Sequence, residues 1–317
     1  YNIADSMIAG RFAGENALAA VGASYPITII FMAFAVGMNL GASVVVSRLF
    51  GAEDRGGVKR AVTTAFLSSM VLGIILTLFG YFFNHQMMRW IRTPQNIMAD
   101  GVLYLKIYIF GIIFLMLYNV CTGVFTALGD SKTPLYFLLG SSAGNIILDY
   151  IFVAKFHWGV RGVAWATFIA QGVSAVLALV TLLGRLQKFA GKEKPWFDKK
   201  LFAQIMAIAI PSILQQSVLS VGNLFVQGIV NQFGSAVVAG YSGAIKLNTF
   251  AINIFMTLGS CLSSYTAQNI GAGKKERIPL GFRTGLKLSE LTALPFVILY
   301  FVFSRQMMGL FLGAESV

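Results

Sequence analysis

From Asn16 to Ser47 the chain reads NALAAVGASYPITIIFMAFAVGMNLGASVVVS, with no Asp, Glu, Lys or Arg in the run. An α-helix rises about 1.5 Å per residue, so crossing about 30 Å of hydrocarbon takes about 20 residues, and this run exceeds that. Further uncharged runs follow at Ala61–Met88, Ile107–Gly129, Gly162–Gly184 and Leu201–Ile245. The last is long enough for two passes, with Asn231-Gln232-Phe233-Gly234-Ser235 as the turn between them. Allowing isolated charges adds Leu135–Ala154, Leu247–Asn269 and Pro279–Phe303. The pattern predicts a helix tail over 1–10 and full spans near 25–48, 61–83, 101–127, 135–154, 160–184, 201–229, 236–266 and 280–303. That is an all-α, polytopic membrane protein.

Composition agrees. The 317 residues are 57% hydrophobic and 11% charged, whereas a soluble domain carries about 25% charged residues. So little charge cannot cover a water-facing surface, and lipid is the main solvent. The net charge of +12 sits in short stretches between spans, without a basic-aromatic stripe, and so predicts topology control rather than nucleic-acid binding. Arg48, Arg55, Lys59, Lys132, Arg185, Lys192, Lys274 and Arg277 fall on one side. That side carries about twice the basic residues of the other, which places it and the N-terminus in the cytoplasm. Cys121 and Cys261 lie in apolar runs and suggest neither a disulfide framework nor a metal site.

An internal repeat organises the chain. One ungapped shift lays Gly14 on Gly234, Ser43 on Ser263, Gly51-Ala52 on Gly271-Ala272 and Thr64 on Thr284. The same shift lays Phe83-x-x-Gln86-Met87-Met88 on Phe303-x-x-Gln306-Met307-Met308. Equal orientation of the paired spans predicts a parallel repeat about an axis along the membrane normal. The expected division is a first lobe over 1–186, a charged cytoplasmic linker over 187–200, and a second lobe over 201–317. The register further predicts that the start of the first helix and the counterparts of three later helices lie outside the sequence, and that the intact protein has twelve spans.

Ionisable side chains inside a membrane cost about 2.5–3.5 kcal/mol or more, so each needs a reason. Asn145 and Asp149 stand at i and i+4, on one helical face, where a carboxylate and an amide carbonyl suit a proton or a small hard cation. The alternative is an interfacial Asp met by solvent. Asp5 shares a face with Tyr1 and Asn2, or else simply ends a helix. Thr167 offers a hydroxyl, although such a Thr commonly bonds its own i−4 carbonyl. Lys246 either snorkels to the surface or lines a cavity, and Glu290 belongs near an interface. Gly37-x-x-x-Gly41 permits close helix contact.

Enzyme signals are weak. His85 and His157 form no His-Glu-x-x-His pattern, and Gly271-Ala272-Gly273-Lys274-Lys275 lacks the spacing and the hydroxyl of a phosphate loop. No ATP hydrolysis and no cofactor are expected.

The opening Tyr1-Asn2-Ile3-Ala4-Asp5, then Gly10-Arg11 and Ala17-Leu18-Ala19-Ala20-Val21-Gly22, resembles the first helix and loop of the multidrug and toxin extrusion (MATE) family. So do Gly51-Ala52, the Gly129–Pro134 turn, Asn145-x-x-x-Asp149 and Gly162-Val163-Ala164-Trp165-Ala166-Thr167. The resemblance implies a two-lobed exporter that exchanges protons or sodium for drugs or organic cations by alternating access. It implies a monomer in the cell membrane, in contact with lipid and without nucleic acid. It also implies a first-lobe ion site at Tyr1, Asp5, Asn145, Asp149 and Thr167. Some relatives use acids in the second lobe instead; here Gln215 and Gln216 stand on that lobe's first helix, as cavity-lining candidates with Lys246. A flippase for lipid-linked sugars is the alternative within the superfamily, and a channel or a membrane-embedded enzyme the alternative outside it.

Overall fold

The computed structural model describes residues 5, 8–187, 197–233, 235–303 and 306. Among them there is no strand, and the long helices are α1 (Glu15–Gly51), α2 (Arg55–Trp90), α3 (Gln95–Phe110), α4 (Ile112–Ala127), α5 (Lys132–Asp149), α6 (Gly159–Gln187), α7 (Lys199–Val230), α8 (Ser235–Gly271) and α9 (Ile278–Val302). Among the described residues, six helices are long and apolar enough to cross a membrane, seven with α3 and α4 taken as one bent span. The all-α polytopic expectation therefore holds, with three departures in detail.

The first departure is at the start. The expected span 25–48 is the 37-residue helix α1, which begins at Glu15 and runs through Pro26. It is separated from the tail by Gly14 at φ +91°, a backbone conformation that favours glycine. Second, the span expected over 101–127 is broken at Gly111, with 46° between α3 and α4. Third, α5 stops being α-helical at Asp149 and continues as a π turn over Tyr150–Lys155.

The packing follows membrane rules. On α2, the large side chains Leu67, Val71, Ile74, Ile75 and Leu78 are exposed, while Thr64, Ser68, Ser69, Gly73 and Gly80 are turned inward. With lipid as apolar as leucine, small residues gain more at a helix contact than large ones. Gly37 and Gly41 do this between α1 and α7, where a Cβ would collide with Ile213 and with the carbonyl of Ile205. The main core, around Met38, Val46, Leu105, Met116, Phe125, Leu182 and Ile205, joins α1 to α3, α4, α6 and α7.

The two halves meet at the basic end of the bundle. A Cβ on Gly51 would strike the carbonyl of Gln268, and one on Gly271 the carbonyl of Arg48. The repeat relates Gly51 to Gly271 and Arg48 to Gln268, so the contact is reciprocal, as a two-fold axis between α1 and α8 requires. Hydrogen bonds add to the seam. Ser43 meets Ser264 at 3.0 Å, Gln268 Nε2 donates to the Ala127 carbonyl at 2.8 Å, and Arg48 Nη2 donates to Gln204 Oε1. The Asp198 amide donates to Thr64 Oγ1 at 3.0 Å. Gln187-to-Trp196 of the expected linker lies outside the described residues from 188 on.

The basic end also carries the Gly129–Pro134 turn. Asp130 accepts from the amides of Lys132 and Thr133 and pairs with Arg185, whose guanidinium lies 5.5 Å from the Phe125 ring centroid. Partial burial pushes the Asp130 carboxyl up, but the Thr133 bonds, the Arg185 charge and the Lys132 amide outweigh it and hold it below the usual 3.8. A carboxyl lowered in the folded state stabilises that state above its unfolded value, and the gain disappears as pH falls through the folded value. For a pair this open to solvent the gain is about 0.2–1 kcal/mol. Melting in detergent between pH 5 and 2 is therefore expected to show wild type losing that small advantage over Asp130→Asn as pH falls. A constant difference across the range would contradict the assignment.

Candidate functional site

Away from the seam, Asp5, α5 and α6 converge on a buried polar cluster. Asn145 and Asp149 face inward from α5, one turn apart, and neither has accessible surface; nor does Asp5. Thr167 on α6 is 5% exposed. Its Oγ1 lies 3.1 Å from Asp5 Oδ2 and 3.1 Å from the Val163 carbonyl, and Asn145 Nδ2 donates to it at 3.4 Å. The Asp5 carboxyl also faces the Asp149 carboxyl and the Asn145 amide.

Donors are scarce here. Asn145 supplies an NH₂ and Thr167 one hydroxyl hydrogen, already shared between two acceptors. Asp5 Oδ1, Asn145 Oδ1 and both oxygens of Asp149 are buried with no hydrogen-bond partner in the protein. Buried oxygens are normally partnered, and two facing carboxylates repel. A proton shared between the acids, or a small cation among the oxygens, satisfies both conditions. The donor set is all oxygen, as hard cations prefer, and no cluster of three or more His, Cys, Asp or Glu suited to a metal occurs among the described residues.

The surroundings bind this cluster to the local backbone. Asp149 is the last α-helical residue of α5, and the π turn after it packs on a second π turn, Ala9–Ala13, just beyond Asp5. Phe12 meets Tyr150 edge to face across them, with centroids 5.8 Å apart. π turns are uncommon and recur at functional sites. Two tyrosines not expected from the sequence, Tyr104 and Tyr108 on α3, stack at 6.4 Å with Tyr104 buried beside the acids. Their i, i+4 spacing was the available signal.

The remaining candidates lie elsewhere. Tyr1 falls outside the described residues, as does the side chain of Lys246 on α8. Gln215 is exposed and Gln216 partly exposed, on α7 beyond its crossing with α1. Glu290 is exposed on α9 and takes no part in the cluster.

The MatE family model matches residues 1–151 and 211–317. A probable multidrug resistance protein of Bacillus subtilis, YoeA, is 28% identical over 318 residues, covering 98% of this chain and 69% of that protein. A second from the same organism, YpnP, is 28% identical over 314 residues, covering 99% and 70%. The outward-facing structure of a multidrug resistance MATE family transporter of the MOP superfamily superposes with a TM-score of 0.90 at 22% identity, covering 100% of this chain and 70% of that one.

Proposed function

The chain belongs to the MatE family of multi-pass membrane transporters, and from that premise we propose that it is a secondary antiporter, exporting drugs or organic cations in exchange for protons or sodium. The observation that carries this reading is the donor-poor cluster of Asp5, Asn145, Asp149 and Thr167. An ion that enters there neutralises two facing carboxylates and removes the repulsion between the opening segment and α5. A π turn follows each acid along the chain, so a change in the carboxyl spacing is passed to the backbone that leads on to α1 and to α6. Ion and drug are coupled because the two access states bind the ion with different affinity. We further propose a monomer in the cell membrane, without a cofactor, with 1–186 and 201–317 moving as lobes joined by the 187–200 linker.

The test is drug efflux from everted vesicles of the full-length protein, driven separately by a pH step and by a sodium step. One of the two is expected to drive saturable export, and equal inertness to both would overturn the reading. The N-terminus and the basic end are assigned to the cytoplasm. With exposed Cys261 replaced by Ser, a cysteine at position 192 is expected to resist an impermeant thiol reagent in intact cells and to react in everted vesicles. Labelling from outside would reverse the orientation.

A further inference from the structure

Beside the Gly51–Gly271 seam, a cavity of about 550 Å³ opens between the halves. Glu53 and Arg55 line it from the first half, and Tyr265, Asn269, Lys274 and Arg277 from the second. Three cationic residues and one acidic residue thus line it. Asn269 is 8% exposed and uses its Nδ2 on the Tyr265 carbonyl, and the Tyr265 hydroxyl donates to the Arg277 carbonyl, so this wall is built and held.

The repeat gives the cavity a chemical preference. In the first half the helix after the seam, α2, is capped by its own carboxylate, because Asp54 accepts from the Gly57 amide at 2.7 Å. The shift that lays Gly51 on Gly271 lays Asp54 on Lys274. In the second half, the 25-residue helix α9 is led in by a 3-10 turn, Lys275–Arg277, and neither has a side-chain cap. At the capping position itself a cation replaces the first half's carboxylate, and Glu276, two residues on, forms no side-chain cap. Helix N-termini favour negative charge, and lysine and arginine bind phosphate oxygens strongly.

We propose that this cavity binds a net-anionic phosphate group, with Lys274, Arg277 and the start of α9 on one side and Arg55 on the other. Tyr265 and Asn269 provide a polar wall for the body that carries the phosphate. A ligand touching both halves is bound best when they are together at this end, so it holds that end closed by linkage. This conformational effect rests on the alternating-access reading above, whereas the binding does not.

Phosphate groups reach the cavity from a lipid headgroup or from solution, and the experiment separates the two. The full-length protein is melted in nanodiscs of phosphatidylcholine alone, of phosphatidylcholine with phosphatidylglycerol, and of phosphatidylcholine with added inorganic phosphate. Stabilisation in the second arm assigns the site to lipid, and in the third arm to a soluble anion. In Lys274→Gln/Arg277→Gln the apparent affinity is expected to fall about 30-fold, at about 1 kcal/mol for each cation removed. Lys274→Arg is expected to retain it, as is Arg89→Gln, which is exposed at the other end of α2 from Arg55. Stabilisation in neither arm, or undiminished in the double variant, overturns the proposal. Melting does not read transport, so a failed ion-step experiment leaves this result standing, and the reverse also holds.

Discussion

Asp149→Asn is expected to reduce gradient-driven efflux to background while leaving drug binding largely intact. The amide has nearly the shape of the neutral acid but cannot lose a proton, so it fixes the cluster in its neutral form. A transporter whose site no longer distinguishes loaded from empty has no differential affinity with which to move its equilibrium; a swing from 1:99 to 99:1 requires about 5.5 kcal/mol. Asp5→Asn is expected to behave in the same way, because its carboxyl faces that of Asp149 and meets Thr167, which Asn145 also reaches. Glu290→Gln, exposed and outside the cluster, is expected to have a much smaller effect. Efflux of a fluorescent organic cation from vesicles and equilibrium binding of the same cation measure the two quantities separately. Normal efflux by well-folded Asp149→Asn would remove the site from the mechanism.

Gly51→Ala and Gly271→Ala are expected to open the basic end. Each adds a methyl group where the opposing atom is a main-chain carbonyl oxygen, of Gln268 or of Arg48, which cannot move aside as a flexible side chain can. Overpacking of this kind costs about 1–3 kcal/mol. All of it falls on the state in which α1 and α8 touch, so the equilibrium shifts about 5- to 150-fold away from that state. Spin labels at positions 59 and 283, with both cysteines replaced, are expected to give a longer distance in either variant and slower efflux. Gly184→Ala meets nothing within 4 Å of the added Cβ and serves as the control. A distance distribution identical to wild type in both seam variants would show that these contacts do not seal the end.

Most of the fold was legible because a membrane segment must satisfy its own backbone, which turns charge-free length directly into helix. The pairing of Asn145 with Asp149 was legible for the same kind of reason: i, i+4 on a helix is a local relation. The break at Gly111 was not, because Ile107–Gly129 has no proline and glycines are ordinary in membrane helices. The π turns depend on what packs against Tyr150 and Phe12, and no local pattern encodes that. Tyr104 and Tyr108 were not legible because tyrosine is common near membrane interfaces, and only the fold brings α3 beside the acids. Gly51 and Gly271 were legible as markers of the repeat, but their meeting at the axis was not.

Beside the apolar packing of α1 on α7, the seam between the halves carries polar contacts of ordinary strength. Ser43 with Ser264, Gln268 with the Ala127 carbonyl, Arg48 with Gln204 and the Asp198 amide with Thr64 are four hydrogen bonds, none of them a salt bridge. At about 0.5–1.5 kcal/mol net for each bond, these four contribute about 2–6 kcal/mol beside that packing. One elementary charge crossing a membrane held at 100 mV releases about 2.3 kcal/mol. The polar part of the seam is therefore of the same scale as one or two charges crossing such a potential. The four bonds give the halves a register to return to, which the apolar packing alone would not supply.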